Sequence, residues 1–393
     1  MHQSNISRKY LSFLIGSIFA LVILVLADLL TRVYLVYRDL ELIEIQHVYR
    51  PDAIREHEER LGEFGILPPT PLQYVEERVA LFNWRPFSGR EYSESSTERL
   101  SITPLFARPI GIVQAKLKVG GKVIFDVSYT MDNFGRRIIP GENNKNNVER
   151  FLILLGDSHI FGEGIEDNET LSYFLGKNNP SVRVYNYGIR GLIPGQTLDW
   201  LKIIKGPPEI SEKRGTVLYF WADYLIHRNM LTLAEASWSS RRPYYFERED
   251  GEIVAEKRIC DAWPTWSLLA KAYSKSALLR FFGFNWPKDP KAEDYEFMAK
   301  LIAQLKREAI RLGADQFYVV FRPLYSDLRF KVIPFLEKAG IHYIDYGDLP
   351  LWNMVKGNAQ IPFDNHMTGE ANEAFAREIS RLRFLFEDSR ESY

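Results

Sequence analysis

The sequence predicts an α/β protein in which a three-layer domain with a parallel sheet follows a membrane-spanning helix and a small β subdomain. Three observations predict this: an uncharged N-terminal run, a pair of β-prone segments around two glycines, and apolar strands that alternate with helical segments in the second half. The 50 Lys and Arg residues balance the 51 Asp and Glu residues, so the sequence has no excess positive charge that would favour binding to nucleic acid. A single cysteine, Cys260, excludes an intramolecular disulfide and a thiolate metal cage.

The uncharged run covers residues 10–27 and reads YLSFLIGSIFALVILVLA. As a helix, this run is about 27 Å long, close to the roughly 30 Å of a bilayer's hydrocarbon core. We therefore expect a short basic tail over residues 1–9 and a transmembrane signal anchor over 10–34. A cleaved signal peptide is the first alternative, because Val25 and Ala27 are small enough for a cleavage site. A buried core helix is the second alternative.

The orientation of this helix is not decided by the positive-inside rule. Arg8 and Lys9 on one side are matched by Arg32 and Arg38 on the other. The short basic lead favours an N-terminus inside the cell and a domain on the outer or periplasmic face. The predicted localisation is thus a single-pass cell-membrane protein.

Two segments separate the anchor from the main domain. Residues 35–75 are expected to form a charged stalk, because 39–63 lack a strand pattern and three prolines follow. Residues 76–147 are expected to form the small β subdomain. Its clearest feature is VQAKLKV followed by Gly120-Gly121 and KVIFDVSYT, a pattern typical of a hairpin.

The main domain is expected over residues 148–393. Its apolar strands are predicted at 151–155, 182–187, 216–222, 317–321 and 341–346, and helical patterns lie between them, most clearly at 293–313. An insert over 230–292 is rich in tryptophan. It is suited either to roof a site or simply to pack against the domain.

The segment LLGDSHIFGEG, residues 154–164, carries the main functional signal. Ser158 comes directly after the first parallel strand, at the edge where open α/β sheets bind ligands. Asp157 and Ser158 are also residue types that cap helices, which is the simpler interpretation of this segment.

In its wider context the segment resembles the first block of the SGNH/GDSL hydrolase superfamily. Two later segments resemble further blocks in the same order: Asn186-Tyr-Gly-Ile-Arg-Gly191 and Phe363-Asp364-Asn365-His366-Met367-Thr368. The resemblance covers roughly residues 150–385. It implies a three-layer, flavodoxin-like fold with Ser158 as nucleophile, His366 as base and Asp364 as its orienting group. It also implies an oxyanion hole formed by the backbone N–H groups of Ser158 and Gly191. The tract SYTMDNFGRR, 128–137, resembles a segment that precedes the catalytic domain in membrane-anchored members.

The chemistry of the residues agrees with this resemblance, since a serine hydroxyl needs a base and the base needs an orienting partner. The simpler interpretations are a surface histidine for His366 and a helix cap for Asp364.

Two positions depart from the family pattern. Asp364 precedes His366 by two residues, where the family commonly has three. Ala222 stands where the family's third block has an Asn that donates to the oxyanion, and such a donor contributes about 10²- to 10³-fold in rate. Substitute donors to consider are His227, Asn229 and Arg190.

No phosphate loop stands out, and His366 and Asp364 have no histidine neighbours that suggest a metal site, so we expect neither a metal nor another cofactor. The sequence therefore predicts a membrane-anchored serine esterase or acyltransferase that acts on an acyl ester, with O-acetyl favoured, of a cell-envelope glycan or lipid. The alternative is a catalytically degenerate scaffold or docking subunit for a membrane protein partner, which Ala222 favours.

Overall fold

The computed structural model describes residues 16–31, 43–49, 75–80, 111–119 and 122–387, apart from 133, 143, 144, 146, 205, 208, 241, 277, 280, 281, 325 and 363. Its strands are β1 Ile43–Tyr49, β2 Val75–Ala80, β3 Gly111–Val119, β4 Lys122–Met131, β5 Arg150–Gly156, β6 Val182–Gly188, β7 Arg214–Trp221, β8 Pro243–Glu247, β9 Ile253–Arg258, β10 Ala314–Phe321 and β11 His342–Asp345. Its helices are α1 at 16–31, α2 Ser158–Phe161, α3 Leu171–Asn178, α4 Pro194–Ile203, α5 Tyr224–Met230, α6 Leu233–Ser239, α7 Ile259–Ala262, α8 Pro264–Lys275, α9 Ala292–Arg311, α10 Arg329–Lys338, α11 Leu351–Met354 and α12 Gly369–Ser380.

The main domain is built on a five-stranded sheet with the order β11-β10-β7-β5-β6. All four neighbouring pairs are parallel. In chain order this is the 2-1-3-4-5 arrangement of the flavodoxin-like fold, with a switch point between β5 and β7. The parallel α/β prediction is confirmed, and all five predicted strands form.

Apolar residues cover both faces of this sheet. One cluster packs α4, α9, α10 and part of the insert against one face, and a second cluster packs α3, α11 and α12 against the other. Strands such as β5 are buried along their whole length, which explains their continuous apolar sequence. The three layers predicted from the sequence are therefore present.

A four-stranded sheet precedes this domain, with the order β2-β1-β3-β4 and antiparallel pairing throughout. The pairing of β3 with β4 agrees with the predicted hairpin. The expectation that the stalk over 35–75 lacks strands is wrong, because β1 lies inside it. The alternation in IEIQHVY is short and surrounded by charges, and pairing with β2 and β3 decides its conformation.

The apolar N-terminal segment is helical over the described residues 16–31. The rest of the predicted span, residues 10–15 and 32–34, lies outside the described residues. In the described part of the chain, no helix combines the length and hydropathy that a membrane crossing requires.

The insert over 230–292 consists of α6, the β8–β9 hairpin, α7 and α8. Part of it packs on the main domain, where the ring of Tyr245 lies so close to Gly195 that a side chain there would clash with it. Gly195 lies in the first turn of α4, at the carboxyl edge of the sheet. This contact therefore places the insert next to the predicted site.

Candidate active site

Ser158 begins the short helix α2, immediately after β5. The carboxylate of Asp157 caps this helix by accepting a hydrogen bond from the N–H of His159 at 3.0 Å. At Gly188, the last residue of β6, an added Cβ would lie 2.1 Å from the backbone nitrogen of Phe161. The glycine therefore allows α2 to lie across the end of β6. Both features are therefore present: Asp157 caps the helix, and Ser158 lies at the edge of the sheet.

The three residues of the predicted triad lie in one hydrogen-bonded chain. The Oγ of Ser158 is 2.8 Å from Nε2 of His366, and Nδ1 of His366 is 2.5 Å from Oδ2 of Asp364. An ionised carboxylate only accepts, so Nδ1 carries the proton that it donates to Asp364 and Nε2 is left as the acceptor for the serine hydroxyl. This is the tautomer that a general base requires.

The loop that carries His366 explains the short spacing to Asp364. An antiparallel bridge between Gln360 and Met367 closes the loop, and Asn365 adopts a left-handed φ of 64°. This tight turn brings Asp364 within reach of the imidazole although only one residue separates them.

The predicted oxyanion groups face the same edge of the sheet. Gly191 has a φ of 64°, and its carbonyl accepts a hydrogen bond from Nη1 of Arg242 in the insert. Nη1 of Arg228 likewise holds the carbonyl of Leu192 at 2.9 Å. Both carbonyls of this turn are thus held by arginines. Among the described residues, the N–H groups of Ser158 and Gly191 donate no hydrogen bond to a backbone carbonyl of a turn or loop.

The three suggested substitutes for the missing Asn lie in different surroundings. Arg190 forms an ion pair with Glu163, 2.5 Å from Nη2 to Oε1, and the other carboxylate oxygen of Glu163 is 3.6 Å from Nε2 of His366. Glu163 therefore links Arg190 to the imidazole of His366. His227 faces the acidic groups of Asp223, Asp289 and Asp294, and its burial lowers its pKa.

Asn229 lies on the same short helix, α5, as His227. Neither side chain has a hydrogen bond to a triad residue in the described structure. Ala222 is fully buried in the apolar cluster before α5. The structure thus brings one of the three substitutes, Arg190, near the triad.

Sequence reasoning missed a buried polar network behind Ser158. The hydroxyl of Tyr224 donates to Asp157 and accepts from Nη2 of Arg322 at 2.8 Å, while Nε of Arg322 donates to the carbonyl of Trp221. Burial alone would raise the pKa of the Asp157 carboxyl, but the charges of Arg322 and Arg228 hold it below its usual value. Arg322 directly follows β10, so the rule that ligands bind beyond the carboxyl ends of strands could have found it.

Two further side chains near the triad were also missed. The ring of His159 packs at a centroid distance of 4.5 Å against the ring of His366. Glu163 is the second carboxylate beside that imidazole. Both residues lie within five positions of Ser158, and this closeness in sequence could have identified them.

The tract 128–137 supports the loop that follows α2. The guanidinium of Arg137 is buried and donates to the carbonyls of Phe161, Gly162 and Ile165. Its Nε also pairs with Asp167. The hydroxyl of Tyr129 accepts from the N–H of Gly164 at 2.7 Å. Strand β4 thus fixes the glycine-containing turn that ends the nucleophile segment.

Within the described ranges, no group of three or more His, Cys, Asp or Glu side chains is placed to hold a metal ion. At Ser158 the described contacts are its hydrogen bond to His366 and the bond from His366 to Asp364.

Comparison with known proteins finds no matching family model and no matching curated protein. Among solved structures, the chain is similar to a lipase/acylhydrolase from Enterococcus faecalis, with 12% identity, a TM-score of 0.32, and coverage of 60% of this chain and 95% of that chain. A member of the lipolytic G-D-S-L family from Veillonella parvula has 10% identity and a TM-score of 0.34, with coverage of 59% and 97%. The acetyl xylan esterase Est2A from Butyrivibrio proteoclasticus has 10% identity and a TM-score of 0.34, with coverage of 88% and 84%. At these low values, the assignment of function rests on the geometry of the site.

Proposed function

We propose that this protein is an SGNH-type serine hydrolase that cleaves or transfers an acyl group. The observation that carries the proposal is the chain from Ser158 Oγ through the imidazole of His366 to Asp364, at the carboxyl edge of the sheet. Ser158 meets His366 and Asp364, more than 200 positions away in the chain, with the hydrogen-bond donors and acceptors in the order that nucleophilic catalysis requires.

The mechanism follows from these contacts. His366 takes the proton of Ser158 through Nε2 while the serine oxygen attacks the acyl carbonyl. The negative charge that develops on the carbonyl oxygen is received by the N–H groups of Ser158 and Gly191. His366 then returns its proton to the leaving alcohol. Water or an acceptor hydroxyl, deprotonated by the same imidazole, then attacks the acyl carbon. The bond between this carbon and Oγ of Ser158 breaks, and His366 returns the proton to Oγ.

A serine-reactive fluorophosphonate tests this mechanism. We expect the wild-type protein to be labelled covalently and Ser158→Ala and His366→Ala to lose the label, because the hydroxyl depends on its base. Labelling of Ser158→Ala equal to wild type places the nucleophile elsewhere. A wild type that is inert although its triad is intact favours the scaffold function, to which the buried Ala222 also points.

The proposal extends to a membrane anchor over residues 10–34, with the catalytic domain on the outer or periplasmic face. The uncharged run and the exposed apolar side chains of α1 support it. The protein should then resist carbonate extraction from membranes, and protease should reach the domain from the outer face. A mature N-terminus at Asp28 contradicts an anchor and indicates a cleaved signal peptide.

An envelope location favours an acylated glycan or lipid as substrate, with O-acetyl esters first. Release of acetate from O-acetylated envelope polysaccharide, compared between wild type and Ser158→Ala, tests this substrate class. A membrane protein partner is the corresponding proposal for the scaffold function.

A further inference from the structure

Helix α8 in the insert has apolar residues on both of its sides. Ala270 and Tyr273 are buried against the domain. Leu268 and Leu269, on the outer side, are 68% and 52% exposed. A surface helix of a water-soluble domain normally turns charged or polar residues outward. The exposed residues of α8 therefore combine two leucines with the charged Lys271 and Lys275.

The chain around α8 extends this surface. Three exposed aromatic side chains follow the helix, and Phe282, Phe284 and Trp286 are 74%, 59% and 62% exposed. We call this surface the apolar rim, and it consists of Trp263, Leu268, Leu269, Phe282, Phe284 and Trp286. Trp286 packs against Trp266 of α8 at a ring-centroid distance of 5.4 Å, and apolar patches on the surface of a folded domain mark protein or membrane contacts.

The apolar rim is joined to the N-terminal helix α1. Oδ1 of Asp28 accepts hydrogen bonds from Oγ of Ser276 at 2.7 Å and from the N–H of Leu278 at 2.8 Å. Asp28 is the first charged residue after the uncharged run, and these two bonds satisfy it at the C-terminal end of α8. Helix α1 is therefore bonded to the segment between α8 and Phe282, which connects two parts of the rim.

We propose that the apolar rim rests in the interfacial region of a phospholipid bilayer, beside the place where α1 leaves the membrane. This surface rests on the proposed anchor, and it does not depend on the chemistry at Ser158. Tryptophan and phenylalanine suit this depth because their rings are apolar while the indole N–H can contact the headgroups. Lys271 and Lys275 are exposed on the same helix, and positive charge at such a surface favours anionic headgroups. A bilayer is preferred to a second copy of this chain because α1, the proposed anchor, is bonded to the segment between α8 and Phe282.

Spin labels at single cysteines in the full chain test this inference. In a Cys260→Ser background, Leu268→Cys and Phe282→Cys place a nitroxide on the rim. Phe330→Cys is the matched control, because Phe330 is 64% exposed on α10 and lies outside the rim. In vesicles of phosphatidylcholine and phosphatidylglycerol, we expect the rim labels to be relaxed more by oxygen than by an aqueous nickel complex. The control label should show the reverse ratio.

Each other outcome overturns the inference in a distinguishable way. If the protein floats with the vesicles but the rim labels are as accessible to nickel as the control, the rim does not contact lipid although the anchor holds. If the protein does not float, the anchor and the rim contact both fail. If the rim labels are protected in detergent with dipolar broadening between copies, a second copy of this chain covers the rim. Loss of fluorophosphonate labelling changes none of these readings.

Discussion

Ser158 and His366 are 208 positions apart in the chain, yet their reactive atoms are 2.8 Å apart. Each residue reaches the other from the carboxyl side of the sheet, one from the end of β5 and one from the loop before α12. Asp364 completes the chain because the turn at Asn365 directs it toward the imidazole. At this scale the proposed chemistry depends on three side chains and two backbone N–H groups.

Asp364→Ala should reduce activity less than His366→Ala. The carboxylate orients the imidazole, whereas the imidazole itself moves the proton. We expect kcat to fall by about 10⁴-fold without the carboxylate and by about 10⁶-fold without the base. Steady-state hydrolysis of p-nitrophenyl acetate measures both, with circular dichroism as the check on folding. Wild-type kcat in Asp364→Ala contradicts the role assigned to this residue.

Ala222→Asn should increase activity. Ala222 carries no side-chain donor at the position where the family's third block has Asn, while Arg190 is paired with Glu163 and His227 faces acidic groups of its own. An amide at residue 222 should raise kcat by about ten-fold, less than the roughly 10²- to 10³-fold of an optimally placed donor. KM should change little, because the interaction forms in the transition state.

The matched control is Ala222→Leu, which adds similar volume without a donor and should not raise kcat. If Ala222→Asn is neutral or harmful, another donor is in use. The variants Arg190→Ala, His227→Ala and Asn229→Ala then identify it by the largest fall in kcat.

Among the elements, β4 contributes most to the site without supplying a reactive group. Tyr129 lies near the end of this strand, and Arg137 lies six residues beyond it. Both side chains form hydrogen bonds with the turn after α2. A buried guanidinium with several carbonyl acceptors and one carboxylate is satisfied only as long as that turn keeps its shape. The small β sheet is therefore a structural support for the nucleophile segment.

Arg137→Met should destabilise the protein by about 3 to 5 kcal/mol, the usual cost of removing one partner of a buried ion pair. Urea unfolding in detergent measures this loss. Lys116→Ala is the control, because Lys116 pairs with Asp126 on the neighbouring exposed surface and such pairs contribute about 0 to 1 kcal/mol. Equal effects of the two substitutions contradict the supporting role of Arg137.

Across the whole molecule, the network of Asp157, Tyr224 and Arg322 connects the ends of β5, β7 and β10. The pKa of Asp157 in the folded state lies below its usual value, despite its burial, because Arg322 and Arg228 stabilise the carboxylate. A carboxyl whose pKa is depressed by folding stabilises the protein above its unfolded pKa of about 3.9, and this stabilisation is lost as pH falls through the folded value.

We therefore expect the free energy of unfolding to fall on acidification below about pH 4 more steeply in wild type than in Asp157→Asn. Other carboxylates titrate in the same range, so the difference between the two proteins isolates Asp157. Urea midpoints measured from neutral to acidic pH provide the comparison. Parallel curves for the two proteins show that Asp157 is not linked to folding. At neutral pH the variant should be less stable, because it leaves Arg322 with a weaker partner.

Much of the fold was predictable because its signals are local. The parallel strands are buried on both faces, so each reads as an apolar run, and the helix at Ala292–Arg311 shows its period directly. Strand β1 escaped prediction because its seven residues are surrounded by charged sequence and their conformation depends on pairing with β2 and β3.

The sequence by itself determined the class of fold, the order of its elements and the residue types available at the sheet edge. Ser158 could be selected because it directly follows a strand, and His366, Asp364 and Gly191 because their segments resemble later blocks of the SGNH/GDSL superfamily. Only the tertiary structure decided which side chains are partners: Arg137 with the turn after α2, Arg322 with Asp157 through Tyr224, and Asp28 with the insert. The physical reason is that strand and helix signals arise from neighbours along the chain, whereas hydrogen-bond partners of buried charges are set by packing between segments far apart in sequence.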